Sequence, residues 1–411
     1  MTTLIYGGII LVSGYKFIYG KTGILTTLFA KIIPNFPIDW FEGYWAVLFV
    51  MTFACTSNHM IFLRNAMRSV DFQTITPMIL TFANNVSSRP LAALLALFLG
   101  VATIILLTIM IQIEKRGHYM SVSKVKTTIV KQKIRNPILN VLAHVYAYLL
   151  FLIYVIPVAL VILFSFTDSA TIASKHLTLS SFTLDNYISI FQKASSYKPF
   201  VVSIAYSAIA ASFVAIIVLI ACRILQKRKD RLGGALEYGL LIPWLLPTTL
   251  MALGLITTYN TPRVWMFNKV LTGTSVIMLI GYIIIKIPFT LRMTKAAFFS
   301  LDDSLEDAAR NMGAKPLYTF MRVQLPIILP TVLAIFALNF NGLLGDYDMS
   351  VFMYHPLNKP LGVYIKSLTD SETNADNAAL TFVYAVLMMI ISAVVMYLVY
   401  GRGNKVDKSK E

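Results

Sequence analysis

The sequence predicts an all-helical protein that crosses a membrane several times. Three observations carry that prediction: its composition, the spacing of its apolar windows, and the side on which its basic residues fall. Of 411 residues, 57% are apolar and 13% are charged, about half the charge with which a soluble domain coats its surface. Mean hydropathy is +0.72. The net charge of +16, from 35 Lys and Arg against 19 Asp and Glu, would point to nucleic acid in a soluble chain, but in this composition it has to be read loop by loop. Cys55 and Cys222 both lie in apolar stretches and read as packing residues. The five histidines show no paired spacing that would build a metal cage. The opening MTTLIYGGIILVSGYK has neither a basic leader nor a small-residue cleavage site, so it reads as a retained membrane segment.

Crossing a hydrocarbon layer takes roughly 20 apolar residues in a helix. Seven clear windows of that kind run from Leu91 to Gln112, Val145 to Phe166, Phe200 to Cys222, Glu237 to Thr257, Thr274 to Thr290, Ile327 to Leu344 and Ala379 to Tyr400. Two weaker ones precede them, Leu4 to Gly20 and Tyr44 to Leu63, the second diluted by Ser57, Asn58 and His59.

Basic residues then choose sides, because translocated loops avoid Lys and Arg. Lys115, Arg116, Lys124, Lys126, Lys131, Lys133 and Arg135 place the 113–144 linker inside. Arg223, Lys227, Arg228, Lys229 and Arg231, then Arg292 and Lys295, then the 401–411 tail follow on the same side. The 345–378 loop carries Asp346, Asp348, Asp370, Glu372 and Asp376 and falls outside. Residues 145–400 thus form a complete six-crossing unit with a cytoplasmic C-terminus. Positive charge serves topology, and nucleic acid is not an expected partner.

The first 112 residues break this parity. Arg64 and Arg68 end one segment inside, and Lys115 and Arg116 end the next inside as well. Only Ile75 to Ala83 is apolar between them, about half a crossing. About three membrane segments are expected here, with one crossing missing.

Chemistry concentrates in the inside loop 300–330. Asp303 and Glu306 have capping-box spacing, and Leu305, Ala309 and Met312 share one helical face. Gly313 suits a left-handed cap, Pro316 a helix start, and Leu317, Phe320 and Met321 a second apolar stripe before Pro326 and Pro330. Two short amphipathic helices joined by a glycine corner are predicted. An apparent phosphate-binding loop at Gly14–Thr22 has five residues between its glycines where the motif has four, and it follows no strand, so it is set aside.

LEDAARNMGAKPLYTFMRVQLP, from Leu305 to Pro326, resembles the EAA signature of permease subunits of binding-protein-dependent ABC importers. Asp307, Ala308, Ala309, Gly313, Val323, Leu325 and Pro326 stand at its spacing, with Asp in place of Glu at 307 and Val in place of Ile at 323. An amphipathic hairpin lying on the lipid surface is the plainer alternative. The resemblance implies an all-α permease fold and makes this loop, with Glu306, the coupling element for a separate ATPase chain. It also implies two ATPase copies that hold ATP and magnesium, an extracytoplasmic solute-binding protein as partner, a bacterial inner-membrane location, and no cofactor, metal or catalytic residue of this chain's own.

Fused two-repeat permeases of the ferric-iron type are similar throughout, including DFQTITPMILTFANNVSSR. Arg64–Ile75 overlays Lys295–Glu306 without a gap, after which the first half continues without a coupling loop. Residues 1–112 are therefore expected to be a shortened first repeat, which leaves a second permease chain or a second copy of this one to supply the missing loop. The resemblance implies ferric iron as solute; polyamine, thiamine and phosphonate permeases share the scaffold, and a secondary carrier is the rival class.

Weaker expectations concern the path. Pro243 and Pro247 are expected to break a membrane helix, lining the path or only kinking it. Asn339 and Asn341 either line the path or bond helix to helix. Asp346 and Asp348 are placed at the outer mouth, to meet a delivered cation or to be solvated. Lys286 is expected to snorkel to the inner interface.

Overall fold

The computed structural model describes residues 18–21, 23–33, 36–41, 75–84, 86–116, 136–174, 179–228, 230–262, 264–266, 268–299, 301–302, 304–370 and 375–400. Its regular elements are helices: α1 (Ile24–Ile32), α2 (Ile75–Asn84), α3 (Arg89–Arg116), α4 (Pro137–Ser165), α5 (Ala194–Lys227), α6 (Arg231–Leu245), α7 (Thr248–Tyr259), α8 (Ser275–Phe299) and α9 (Ser304–Asn311), then α10 (Pro316–Leu344), α11 (Ser350–Met353), α12 (Leu361–Asp370) and α13 (Ala375–Tyr400). By length and composition α5, α8, α10 and α13 can each cross a membrane, and the α6–α7 pair adds a fifth if it is one bent span. The two weak N-terminal windows fall largely outside the described residues, as do Asp303 and most of the Arg64–Ile75 overlay.

Local chemistry explains the helix ends. Asn136 caps α4 by accepting from the Ile138 and Leu139 amides, with Pro137 at the first helical position. That start lies eight residues before the Val145 window, so the 113–144 linker is partly helix. Asp230 caps α6 through the Gly233 amide at 2.8 Å. Leu246 and Pro247 are extended, and α6 and α7 meet at 105°. The window from Glu237 to Thr257 is therefore two helices: Pro243 is tolerated inside α6, and Pro247 makes the break, since it restricts the residue before it to extended geometry.

Helix α5 is the axis of the bundle, and with 34 residues it runs about 50 Å. Ser203, Ser207, Ala210, Ala211, Val214, Val218, Ala221 and Cys222 are buried along one side. This row of small residues lets α8 and α10 approach closely, which is how helices associate where no water drives them together. Three apolar cores sit along it. Phe200, Phe340, Phe382 and Tyr384 lie in the first, Ile277, Met278, Tyr282 and Leu343 in the second, and Val218, Leu291, Phe298 and Ile328 in the third. The half-length helix α2 packs on α3 through Ile79, Ala83, Ala92 and Ala96, with Leu250 and Leu253 of α7 against them.

Because Ala210 is fully buried in this row, Ala210→Leu is expected to lower stability by about 1–3 kcal/mol through overpacking. Ile216→Leu, on the exposed side of the same helix, should leave thermal unfolding in lipid nanodiscs unchanged.

Candidate functional site

The 300–330 loop folds into a short lever followed by a long helix. Ser304 starts α9, its amide bonded to the Asp302 carboxylate at 3.0 Å. Glu306 and Asp307 occupy the first turn and Arg310 the last, matching the helix dipole. Gly313 has φ of +78°. The Ala314 amide reaches back to the Ala309 carbonyl at 3.0 Å, and the Gly313 amide to the Arg310 carbonyl at 2.9 Å. This is a Schellman cap, and its left-handed position costs least with glycine.

Pro316 then begins α10, with Lys315 as N-cap. The predicted second short helix is not separate. Residues Phe320–Gln324 form a π-helical turn and the chain continues from Leu325 to Leu344 without interruption. Leu325 and Pro326 are therefore interior to one rod 29 residues long, and Val323 belongs to its wide turn.

Glu306 holds the lever. Its side chain is 12% exposed and binds Arg223 through two nitrogens, at 3.1 and 3.3 Å. Lys227 also donates to it, and the Gln324 amide donates at 3.1 Å. Arg223 in turn donates to Gln324 at 2.9 Å and lies over the Phe320 ring, 5.6 Å from its centre. One carboxylate thus ties α9 to the end of α5 and the start of α10, so the predicted capping-box role passes to a clamp. Burial pushes the Glu306 carboxyl up, but the hydrogen bonds and charges of Arg223 and Lys227 outweigh it and hold the group down at about 2.

The apolar stripe of the loop divides in two. Ala309 is buried, and Phe320 stacks on Phe298 with centroids 6.3 Å apart. Leu305, Leu317, Tyr318 and Met321 are exposed, as are Ala308 and Asp307, and Met312 is 81% exposed. Such a row of large apolar side chains beside a rigid corner is a surface made for a partner.

Higher up, Asn339 is buried and donates to Thr290 at 2.7 Å, bonding α10 to α8. Asn341 donates to the Ser392 carbonyl of α13 at 3.5 Å, and its carbonyl oxygen has no partner among the described residues. Asp346 is 6% exposed, not solvated. Its carboxylate accepts from the Met349 and Ser350 amides and the Ser350 hydroxyl at 3.3, 3.1 and 2.8 Å, capping α11. Asp348 is half-buried beside it. Lys286 does not snorkel: it lies in the middle of α8, and its Nζ sits where a side chain on Gly342 would be, 2.8 Å from the position of such a Cβ.

Residues 133–405 match the family described as the binding-protein-dependent transport system inner membrane component. A probable ABC transporter permease of Sinorhizobium fredii is 34% identical, over 96% of this chain and 79% of that protein. That alignment runs over 452 residues, more than the 411 of this chain, so part of the relative has no counterpart here. A candidate 2-aminoethylphosphonate transport permease of Salmonella typhimurium is 24% identical over 61% of this chain and 91% of its own length. A bacterial transporter of the acidic polysaccharide alginate has the same fold in one of its chains, with a TM-score of 0.52 and 18% identity over 64% of this chain and 95% of that one.

A charge-assisted hydrogen bond contributes about 1.5–3 kcal/mol, so Glu306→Gln is expected to raise the tryptic cleavage rate at Arg310 roughly tenfold or more. The carboxyl is depressed from 4.5, so its contribution is full above that value and disappears as pH falls toward about 2. Hydrogen exchange in residues 304–312 should rise over that acid window in the native chain and not in the glutamine variant.

Proposed function

This chain belongs to the family of binding-protein-dependent transport system inner membrane components, the permeases of ABC importers, and from that premise we propose that its α9 lever couples solute import to ATP hydrolysis by a separate ATPase subunit. The observation that carries this is the clamped lever with its exposed apolar edge. Glu306 fixes the lever to two membrane helices, while Leu305, Met312, Leu317 and Met321 face away from the bundle, toward the groove of an ATPase.

Gly313 keeps the corner rigid, Ala309 lets the lever seat closely, and Leu325 and Pro326 carry the motion into α10. Asp307 and Ala308 stand on the exposed edge and meet the ATPase directly. Nucleotide-driven closure of two ATPase subunits, which hold ATP and magnesium, shifts the lever and with it the populations of the inward-open and outward-open bundle. The solute comes from an external binding protein, and the C-terminus lies in the cytoplasm. Residues 145–400 act as one whole repeat and 1–112 as a shortened one, a division supported by the excess length of the aligned relative. A second permease chain, or a second copy, supplies the other lever.

Ferric iron is the solute that the sequence resemblance favours. Phosphonate import is the second reading, favoured by the named Salmonella relative; polyamine and thiamine follow only from the shared scaffold. Pro243 and Pro247 shape the path at the bent α6–α7 pair, Asn339 and Asn341 through the inter-helix bonds described above, and Asp346 and Asp348 stand at its outer mouth.

Gly313→Val places a branched side chain at a left-handed position, which costs about 1–2 kcal/mol, and is expected to abolish ATP-dependent uptake into membrane vesicles while the chain still inserts. Uptake by the native assembly should stop with vanadate. Normal uptake by the valine variant, or vanadate-resistant uptake by the native assembly, would count against coupling through this lever.

A further inference from the structure

Tyr282, Lys286, Thr290 and Thr294 recur every four residues on α8 and so share one face. Opposite them stand Asn339, Gly342, Asp346 and Ser350. Most of this seam is closed on itself. Asn339 donates to Thr290, and Thr290 donates to the Lys286 carbonyl at 2.7 Å. The Tyr282 and Ser350 hydroxyls meet at 2.6 Å, and Ser350 donates to Asp346. Since a carboxylate only accepts, the donors run from Tyr282 through Ser350 to Asp346.

Lys286 is the exception. Its ammonium makes no hydrogen bond or ion pair among the described residues, and it lies 2.8 Å from where a Cβ on Gly342 would be. The Asp346 carboxylate of the same seam already accepts three hydrogen bonds. Three donors on an ammonium in mid-span, with no acceptor among the described residues, would be a heavy cost in a dry bundle. The side chain is only partly buried, so the cost is relieved by something that arrives.

We propose that Lys286 is a solute-contacting residue of the translocation path, and that the group it meets is an oxyanion. The proposal rests on the importer reading and deepens it by naming the charge of the solute. That oxyanion has two sources: the solute's own acidic group, as in a phosphonate or sulfate, or the anion that accompanies ferric iron as a chelate. A bare cation is disfavoured. Gly342 is the residue that makes room for the ammonium.

The test uses the assembled importer in membrane vesicles, with Lys286→Cys in a chain whose Cys55 and Cys222 are replaced by alanine. An aqueous aminoethyl methanethiosulfonate should label the cysteine; failure to label overturns the proposal. Uptake is then measured with sulfate, 2-aminoethylphosphonate, ferric citrate and spermidine. The parent chain should import one of the first three. Sulfate or 2-aminoethylphosphonate would assign the oxyanion to the solute itself, and ferric citrate would assign it to the iron's companion. Lys286→Cys should lose about tenfold or more of that uptake, the scale of one charge-assisted hydrogen bond. Aminoethyl labelling, which restores the ammonium, should recover it, and neutral methyl labelling should not.

Unchanged uptake in Lys286→Cys, recovery by both labels, or import of spermidine alone or of none of the four would each overturn the proposal. So would recovery in Lys286→Met combined with Asp346→Asn, because Lys286 would then serve only to neutralise Asp346. ATPase activity should persist in Lys286→Arg and in Lys286→Cys, and its loss in both would make the residue structural. Failure of the importer reading is read separately, from vanadate-resistant uptake by the parent chain whatever stands at 286.

Discussion

Among the described residues, the carboxylate of Glu306 is the polar group that ties the α9 lever to the long helices α5 and α10. Without it, α9 would hang from the bundle by the chain on either side and by the burial of Ala309 and Phe320. With it, two cationic side chains from the end of α5 and an amide from the start of α10 converge on one group. The site is nearly closed to water, with Arg223 16% and Glu306 12% exposed, so these charges are screened less than a surface pair and have little freedom left to lose. The Phe298–Phe320 stack beneath supplies the apolar floor. A second ion pair, Lys295 to Glu237, ties α8 to α6 on the same side, and Arg292 lies over Trp244 at 4.6 Å. The ends of α5, α6, α8 and α10 on the lever side are thus joined by charge, whereas their middles are joined by small residues.

That division follows from the solvent each part meets. Within hydrocarbon there is no water to expel, so close packing along Ser203, Ser207, Ala210 and Val214 does the work. At the interface, basic residues placed by topology are available for bonding, and the fold uses some of them. Arg223 and Lys227 serve orientation and clamp at once.

How much of this the sequence discloses depends on the range of each interaction. Gly313 and Pro316 were legible because a left-handed cap and a first-turn proline are set by neighbours within a few residues. The bent pair at Pro247 was legible for the same reason. The clamp was not: Glu306 has a suitable neighbour at 303, while its actual partners stand at 223, 227 and 324, and no spacing rule reaches so far. Lys286 was misplaced because hydropathy gives depth in the membrane and not direction around a helix. Its i+4 relation to Tyr282 and Thr290 was present in the sequence as the one available signal. Asp346 follows an apolar window, which places it at the outer mouth to meet a delivered cation or to be solvated, yet a short helix follows it and takes its carboxylate as a cap. The continuity of α10 was hidden by Pro326 and Pro330, which mark helix starts by habit and here sit inside one.

Helix α10 also explains how a lever on one side of the membrane reaches a polar seam within it. Gln324 is in the clamp and Gly342 faces Lys286, eighteen residues apart and so about 27 Å along one rod. The rod is tied at its lower end by Gln324 and bonded to α8 at Asn339, so a displacement of the lower end strains bonds that are costly to break. On the proposed coupling, tilting the lower end would move Gly342 across Lys286. Because a glycine leaves the ammonium no side chain to lean on, that shift alters the space beside the charge more than it would at any larger residue. Clamp and charge thus lie along one helix, which runs through Leu325 and Pro326 without interruption.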